Sequence, residues 1–511
     1  MVDLRRRLVP LALSITLPAV LEAAQTLPGE FEELPGLDRV ELELTLADAI
    51  ELALANNLDL QIAEEETSIA EFDYLGSWGA FEWVFDASAS YTDAERIFGP
   101  SPQIPGGTTF EGETAAFNMD FTRPLRTGGS FVAHFDSTEQ INQTIGSTDD
   151  PDTYDDTLRF SYVQPLRRGA WRKYATSSQR EREIQFAQQL EARRSARQDL
   201  LLSVYNAYWG LVSAREQRGV ADSALDLGLE QLQQNQRRLD AGVGTEVDVL
   251  QAQAEVASRI ESLLRAETDV HQAMDDLKLL IFRSEDNALW NTDLLPGTPL
   301  PAAVSIEGLP NWSQALMVAL DNRPALKQQR LEVDVARVRH SRTLSERLAR
   351  VDLTLTYSSS DTDLERDQAL EDTFTLDTST YSALLTYSMP IGNKTADNAE
   401  RAARALVRVA LLRYDKLELE TVADVRRAVR DVQYQKEAVS AAVESLRLAR
   451  RQLEAEQARY AEGLSTTFQV LEFQQSLIEA MRSERNSRVQ FELALVALED
   501  AMGVIGEGEE P

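Results

Sequence analysis

The residues able to do chemistry in this chain are few and poorly spaced for catalysis. His134, His271 and His340 stand far apart, two of them in helical stretches, so they do not make the clustered ligand set of a zinc or histidine-built site. Ordinary surface or packing histidines are the expected reading. There is no cysteine, which excludes disulfides, thiolate metal sites, a cysteine nucleophile and a lipid carried on an N-terminal cysteine. Neither a phosphate-cradling glycine loop nor a nucleophile with a neighbouring base stands out. What remains is charge: 84 Asp and Glu against 51 Lys and Arg, a formal net charge of -33. Carboxylates at this density ordinarily make a solvated helix face. Their sign disfavours nucleic-acid phosphates and suits a solvated surface or a cation-attracting conduit. No enzyme activity, cofactor or metal is expected.

Many of those carboxylates ride on very long helices. From Gly169 to Asp240 there is no proline and the composition is mostly Gln, Glu, Arg, Leu and Ala. One helix of about 70 residues, about 100 Å long, is expected there. Gly242 and Gly244 break the pattern, and a second helix returns over 246–281. A second hairpin runs over 396–461, breaks at Gly463, and returns over 467–502. The three glycines permit tight helix-to-helix turns because glycine tolerates positive φ. Leu225, Leu232 and Leu239 are seven apart, as are Leu446, Leu453 and Tyr460. A seven-residue seam winds neighbouring helices into a left-handed coiled coil, so these residues pack rather than bind ligand. Helices this long, thin and charged need lateral partners, which predicts a homo-oligomer.

The hairpins belong to a larger repetition. "AIELALANN" from Ala49 is echoed by "ALMVALDNR" from Ala315, "YVQPL" from Tyr162 by "YSMPI" from Tyr387, and "RRLDAGVGTEVDVL" by "ARYAEGLSTTFQVL". The order is the same, which predicts two copies of one unit of helix, strands and long hairpin. The offsets are 266, 225 and 221 residues, so the first copy holds 41 extra residues between its first helix and its proline.

Strand patterns occupy that interval. Phe81, Trp83, Phe85, Ala87, Ala89 and Tyr91 alternate with polar residues, as do the sets 117–121, 131–135, 158–162, 351–357 and 381–387. A soluble half-buried sheet shows the same alternation. The long polar loops at 99–113 and 146–156 suit a barrel instead. The 41-residue surplus fits an added hairpin turning at 123–129, giving four strands in the first copy and two in the second. Two strands per copy with a long external loop is the alternative. Pro165 and Pro390 mark strand-to-helix transitions, each expected in a first helical turn. No stretch after the N-terminus has the roughly 20 apolar residues of a membrane-spanning helix, so any crossing must use strands closed into a barrel.

The resulting division is 1–24 as a secretory signal, 25–43 as an N-terminal extension, 44–285 as the first repeat, 286–309 as a linker, 310–504 as the second repeat and 505–511 as an acidic disordered tail. The signal rests on Arg5 to Arg7, the apolar run after them, and Ala23 and Ala24. A disordered cytosolic terminus is the alternative.

The motifs "LTLADAIELALANNLDL", "SYVQPLRRG", "RRLDAGVGTEVDVLQAQAEV" and "ARYAEGLSTTFQVLEFQQSL", in that order and duplicated, resemble the TolC-like outer-membrane efflux protein family over about residues 44–504. The resemblance implies an α+β membrane protein: a trimeric transmembrane β-barrel in outer-membrane lipid, continued by an α-helical coiled-coil tunnel across the periplasm. It implies a homotrimer working with a periplasmic adaptor protein and an inner-membrane transporter. The chain departs from the pattern in lacking a cysteine for a lipid anchor and in having extra strand sequence, so a barrel larger than twelve strands is expected. The family's inner entrance is ringed by acids in the "DVL" repeat. Asp248 fills that position, Gln469 is its equivalent in the second copy, and Glu472 follows three residues later. These are gate candidates; helix N-terminal carboxylates that complement the macrodipole are the alternative. The implied function is an outer-membrane exit duct of an efflux or secretion system, for small toxic molecules, metal ions or polypeptide. A coiled-coil scaffold of the cell envelope is the competing class.

Overall fold

The computed structural model describes residues 41–98, 108–144, 152–283, 287–301, 310–376 and 378–506. The signal expected at 1–24 lies outside them. Two short helices open each half, each started by a local cap. Thr45 begins α1 (Leu46–Asn56) with a reciprocal capping box to Asp48, and the Asn57 side chain caps α2 (Leu58–Ser77). In the second half Asn311 and Gln314 make the same box for α5 (Trp312–Asn322), and Pro324 opens α6 (Pro324–Glu346) where its missing N–H is not needed.

Between the opening helices and the long hairpins lies one antiparallel sheet. Its strands are β2 (Val84–Phe98), β3 (Thr108–Pro124), β4 (Ser130–Thr144), β5 (Thr153–Pro165), β7 (Arg350–Asp363) and β8 (Ser379–Ser388), hydrogen-bonded in the order β2-β3-β4-β5-β7-β8. Four come from the first half and two from the second, the division expected from the 41-residue surplus. The register puts Phe85 opposite Phe121, Phe131 opposite Tyr162, and Tyr357 opposite Tyr381, so the aromatic alternation shares one face. The other face carries Asp120 and His134, paired at 2.7 Å, with Thr, Ser and Asn around them. A helix absent from the sequence expectations, α7 (Arg366–Thr375), interrupts the β7–β8 connection and lies on the aromatic face, where Phe374 stacks on Phe135.

Pro165 and Pro390 stand at strand-to-helix junctions, but on the strand side of them. Pro165 is the last residue of β5, opposite Asp352, and Pro390 follows β8 four residues before the helix begins. Neither occupies a first helical turn: Gly169 and Gly392, both at positive φ, stand between each proline and the helix that follows.

The long hairpins are α3 (Ser177–Asp240) with α4 (Glu246–Ile281), and α8 (Lys394–Ala461) with α9 (Thr467–Met502). At 68 residues α8 is about 100 Å long. The helices pack as a row rather than a closed bundle. Near the sheet the neighbours are α2 on α3, α3 on α6 and α6 on α8; farther away they are α4 on α3, α3 on α9 and α9 on α8. In α8 the buried seam runs through Val439, Ala442, Ala449, Leu453 and Tyr460, so two of the three expected residues are buried and Leu446 is half-buried against them. In α3 the seam differs from expectation. Ala224, Gly228, Gln231 and Asn235 are buried, while Leu225, Leu232 and Leu239 are only half-buried beside them. The reason is that α3 has helices on both flanks and buries a broader, rotated face.

The main apolar core sits midway along α3. Leu201, Val204, Tyr208 and Leu211 meet α1, the end of α4, and a two-stranded parallel sheet of β1 (Glu41–Leu44) and β6 (Asp293–Pro296). The segments expected as extension and linker therefore each contribute a strand here. Ile505 is buried in the same core, and Gly506 lies against Leu201; residues 507–511 lie outside the described residues. His340 pairs with buried Glu400 at 2.9 Å, and Arg404 and Arg347 reach the same carboxylate, joining α6 to α8. The His340 hydrogen bond foremost, with the hydrogen bond and charge of Arg404 and the charge of Arg347, holds the Glu400 carboxyl below the usual range. His271 is exposed on α4, so the three histidines do not converge.

Candidate functional site at the hairpin tips

Each hairpin turns by the same backbone device. Gly242 (φ 72°) and Gly463 (φ 76°) adopt the left-handed conformation just past the helix ends. Their N–H groups donate to Leu239 and Tyr460 carbonyls, and the next residues, Val243 and Leu464, donate to Arg238 and Arg459 carbonyls. That pairing is the Schellman arrangement, which satisfies helix carbonyls that would otherwise lack donors. Gly244 differs from expectation, since its φ is not positive. A Cβ there would lie 3.0 Å from the Leu239 nitrogen, a tight approach that glycine relieves in this tip. In the second tip Ser465 takes the corresponding place.

The returning helices start with capping boxes. The Thr245 hydroxyl accepts from the Asp248 N–H at 3.2 Å, while the Asp248 carboxylate accepts from the Thr245 N–H at 3.2 Å and from its hydroxyl at 2.6 Å. Thr466 and Gln469 repeat the box in α9. Two of the three gate candidates are therefore helix-capping residues. Glu472 stands one turn further along α9 and is exposed. The Thr245 hydroxyl, with help from Thr467, the Thr245 N–H and Arg238, holds the Asp248 carboxyl below its ordinary range. Asp248 is thus ionised at neutral pH. Because the folded value is depressed, its contribution is complete above about pH 4 and fades as pH falls through that lower value. Asp248→Asn is expected to remove this acid-dependent opening of the turn, read as amide hydrogen exchange at 245–248 as the pH is taken below about 4.

Between the tips lies a buried polar seam that sequence reasoning missed. The Tyr460 hydroxyl donates to the Asn235 side chain at 2.8 Å and lies 3.1 Å from the Thr467 hydroxyl. The Asn235 amide donates to the Asp248 carbonyl at 2.9 Å, and Gln231 donates to Asn235 at 2.8 Å. Arg238 sits over the Tyr460 ring at 4.6 Å and donates to its carbonyl. One level up, buried Arg259 on α4 ties three helices, donating to the Ala224 carbonyl, to Glu255 and, at 3.1 Å, to Gln474. The sequence signal was available: Gln231, Asn235 and Gln474 are polar residues at seam positions, where such groups fix register at a cost in stability. Outside the seam both tips present apolar side chains to solvent, Val243 and Val247 on one, Leu464 and Phe468 on the other. These are equivalent positions in the two hairpins.

The outer membrane efflux protein family model matches residues 124–281 and 315–504, which include both hairpins and most of the sheet. The chain belongs to that family. Among curated proteins, the alkaline protease secretion protein AprF of Pseudomonas aeruginosa is 26% identical over 331 residues, 62% of this chain and 64% of that protein. The chain thus matches somewhat under two thirds of the length of that relative. Solved structures share the fold across nearly the whole molecule. The outer-membrane channel OprN has a TM-score of 0.67 at 18% identity, covering 90% of this chain and 89% of its own. The outer membrane protein VceC of Vibrio cholerae has 0.64 at 16%, covering 90% and 96%, and the CmeC outer membrane channel of Campylobacter jejuni has 0.64 at 17%, covering 91% and 87%. Membership in the outer membrane efflux protein family places the chain in the outer membrane, and it sets the enzyme reading aside.

Proposed function

We propose that three copies of this efflux-family chain form a passive exit duct from the periplasm to the exterior. The observation that carries this reading is the pair of unfinished surfaces in a single copy. The sheet ends in two unpaired edges, β2 and β8, and every residue of β8 is exposed. A long apolar edge strand left open is an aggregation site, and closure into a barrel removes it. Six strands from each of three copies, eighteen in all, would close such a barrel, with the aromatic face to lipid and the Ser, Thr and Asp face to water. No described helix is long and apolar enough to cross a membrane, so strands carry the crossing.

The helix row is unfinished in the same sense. Leu58, Ile62, Ile69 and Phe72 form an exposed apolar stripe on α2, and Leu412 and Leu419, one heptad apart, share an exposed face of α8. These are the two flanks of the row, and joining flank to flank around a threefold axis buries both and encloses a bore. The repeated order of helices, strands and hairpin supports the duplicated design behind that ring. The exposed apolar tips fit a periplasmic adaptor, with an inner-membrane transporter supplying the energy. Small molecules and polypeptides use the same duct, and neither requires chemistry from this chain.

The polar seam at the tips supports a gate there, opening by a shift of the coiled coils between packed and splayed arrangements. In a trimer Asp248 and Glu472 would place six carboxylates at the entrance, which favours cations. Asp248→Ala with Glu472→Ala is expected to weaken cation selectivity in planar-bilayer conductance measurements. Unchanged selectivity would remove both residues from the filter, and absence of any conductance from the native chain would overturn the duct itself.

A further inference from the structure

Beneath α7 the sheet holds a buried carboxylate that no neighbour neutralises. Asp156 is 1% exposed, and neither of its carboxylate oxygens has a hydrogen-bond partner among the described residues. Its ladder partner is Asp361. Directly opposed residues of antiparallel strands project from the same face, so the two carboxylates are neighbours there, with Asp363 next along that face of β7. On the other side along β7 comes Ser359, fully buried, whose hydroxyl is also unpartnered. The roof is α7. Thr373, itself buried, donates its hydroxyl to the Asp156 carbonyl at 3.4 Å, and Phe374 stacks on Phe135 with ring centroids 5.6 Å apart. The same helix brings in Asp372. One carboxylate oxygen from each of Asp361, Asp363 and Asp372 lies within 4.8 Å of the others. The one arginine of α7, Arg366, is bridged instead to Glu139 at 3.4 Å.

Crowding like charges is unfavourable, and burying an ionised carboxylate without a partner is more so. A buried carboxylate without a partner, beside three converging carboxylates, has one remedy, a cation. The geometry points to a divalent-cation site at the end of the sheet remote from the helices, with Asp361, Asp363 and Asp372 as ligands and Asp156, the ladder partner of Asp361, adding buried negative charge beside them. Every donor is a hard oxygen, and neither imidazole nor thiolate is at hand, which selects the calcium and magnesium class over zinc or copper. Calcium fits better, because it accepts an irregular set of six to eight oxygens, whereas magnesium demands a near-ideal octahedron and sheds water reluctantly. The bound ion would fasten α7 to β5 and β7, tying the second half of the chain to the first. It is independent of what the duct carries.

The test is calcium titration calorimetry on the full-length protein in detergent after chelator treatment, with calcium chloride alone as the probe. The expected result is one calcium per chain with a dissociation constant of about 10⁻³ M or tighter, in the range of extracellular modules. Affinity should fall at least about tenfold in Asp361→Asn with Asp363→Asn, and separately in Asp156→Asn, since each removes carboxylate charge that tunes such sites. Asp240→Asn, at the opposite end of the molecule, should bind as the native chain does. The Asp156→Asn chain should fold at least as stably as the native chain in chelator, because it removes the unneutralised buried charge. A native chain that takes up no calcium, or binding that survives all these substitutions under the sheet, overturns the proposal.

Discussion

Tyr208→Ala is expected to destabilise the chain by about 3–5 kcal/mol, the cost of deleting a large buried aromatic side chain. Tyr208→Phe should cost about 1–3 kcal/mol, the range for leaving a buried group without its hydrogen-bond partner. Tyr208 is fully buried on α3, at the level where α1, α4 and the β1–β6 pair all meet that helix. Its ring meets Trp209 edge-on, at 88° and 5.8 Å between centroids. Its hydroxyl donates to the Leu44 carbonyl at 3.2 Å and accepts from the Thr298 N–H at 3.0 Å. One side chain thus fastens the end of β1 and the residues after β6 to the long helix. Both variants lose the two hydroxyl bonds and leave the Thr298 N–H short of its acceptor, while the Leu44 carbonyl keeps the Gly297 N–H at 2.9 Å; alanine adds a cavity, whereas phenylalanine keeps the packing. Denaturant unfolding followed by tryptophan fluorescence measures both. An alanine variant no less stable than the phenylalanine one would show that this core does not anchor the two strands.

The parts of the molecule visible in its sequence are those with local causes. Gly-x-Gly-Thr-x-x-Asp at 242–248 contains its own turn, cap and helix start, so the 246–281 return helix is legible to the residue. The strand faces are legible because period two persists over long stretches, as from Phe85 to Tyr91, although Phe81 and Trp83, read into the same run, precede β2 and Phe81 closes a short 3-10 helix instead. Contacts between residues more than two hundred positions apart leave no such trace. Tyr460 finds Asn235 across 225 residues, and nothing near either residue announces it. The β1–β6 pair was hidden for another reason, since four residues are too few to display a period. In α3 the leucine heptad is real but stands beside the buried seam, because a helix with two neighbours buries a face that one heptad cannot describe. Asp248 shows the same ambiguity at the site. Its place in the motif marks it equally as a gate acid and as the third residue of a capping box, and the structure gives it the second task without removing its charge.

Leu385→Arg is expected to prevent stable assembly in the outer membrane, while Ser382→Arg on the same strand is expected to assemble. Leu385 lies on the aromatic face of β8 between Tyr381 and Tyr387, opposite Leu353. Tyrosines at both ends of an apolar stretch are the mark of a lipid-facing strand, and Leu385 stands within the band they bracket. Arginine near the bilayer midplane of a barrel costs about 2–4 kcal/mol, so three copies would lose roughly 6–12 kcal/mol per trimer. Ser382 projects from the opposite face, opposite Thr356, where the barrel reading places water. An arginine there keeps its hydration and costs little. The two substitutions lie three residues apart on one edge strand, so they perturb the same backbone pairing, and only the facing differs. Heat-modifiable trimer on unheated gels and fractionation with outer-membrane markers read the outcome. Equal assembly of both variants, or loss confined to Ser382→Arg, would mean that the aromatic face does not meet lipid, and the barrel reading would fall with it.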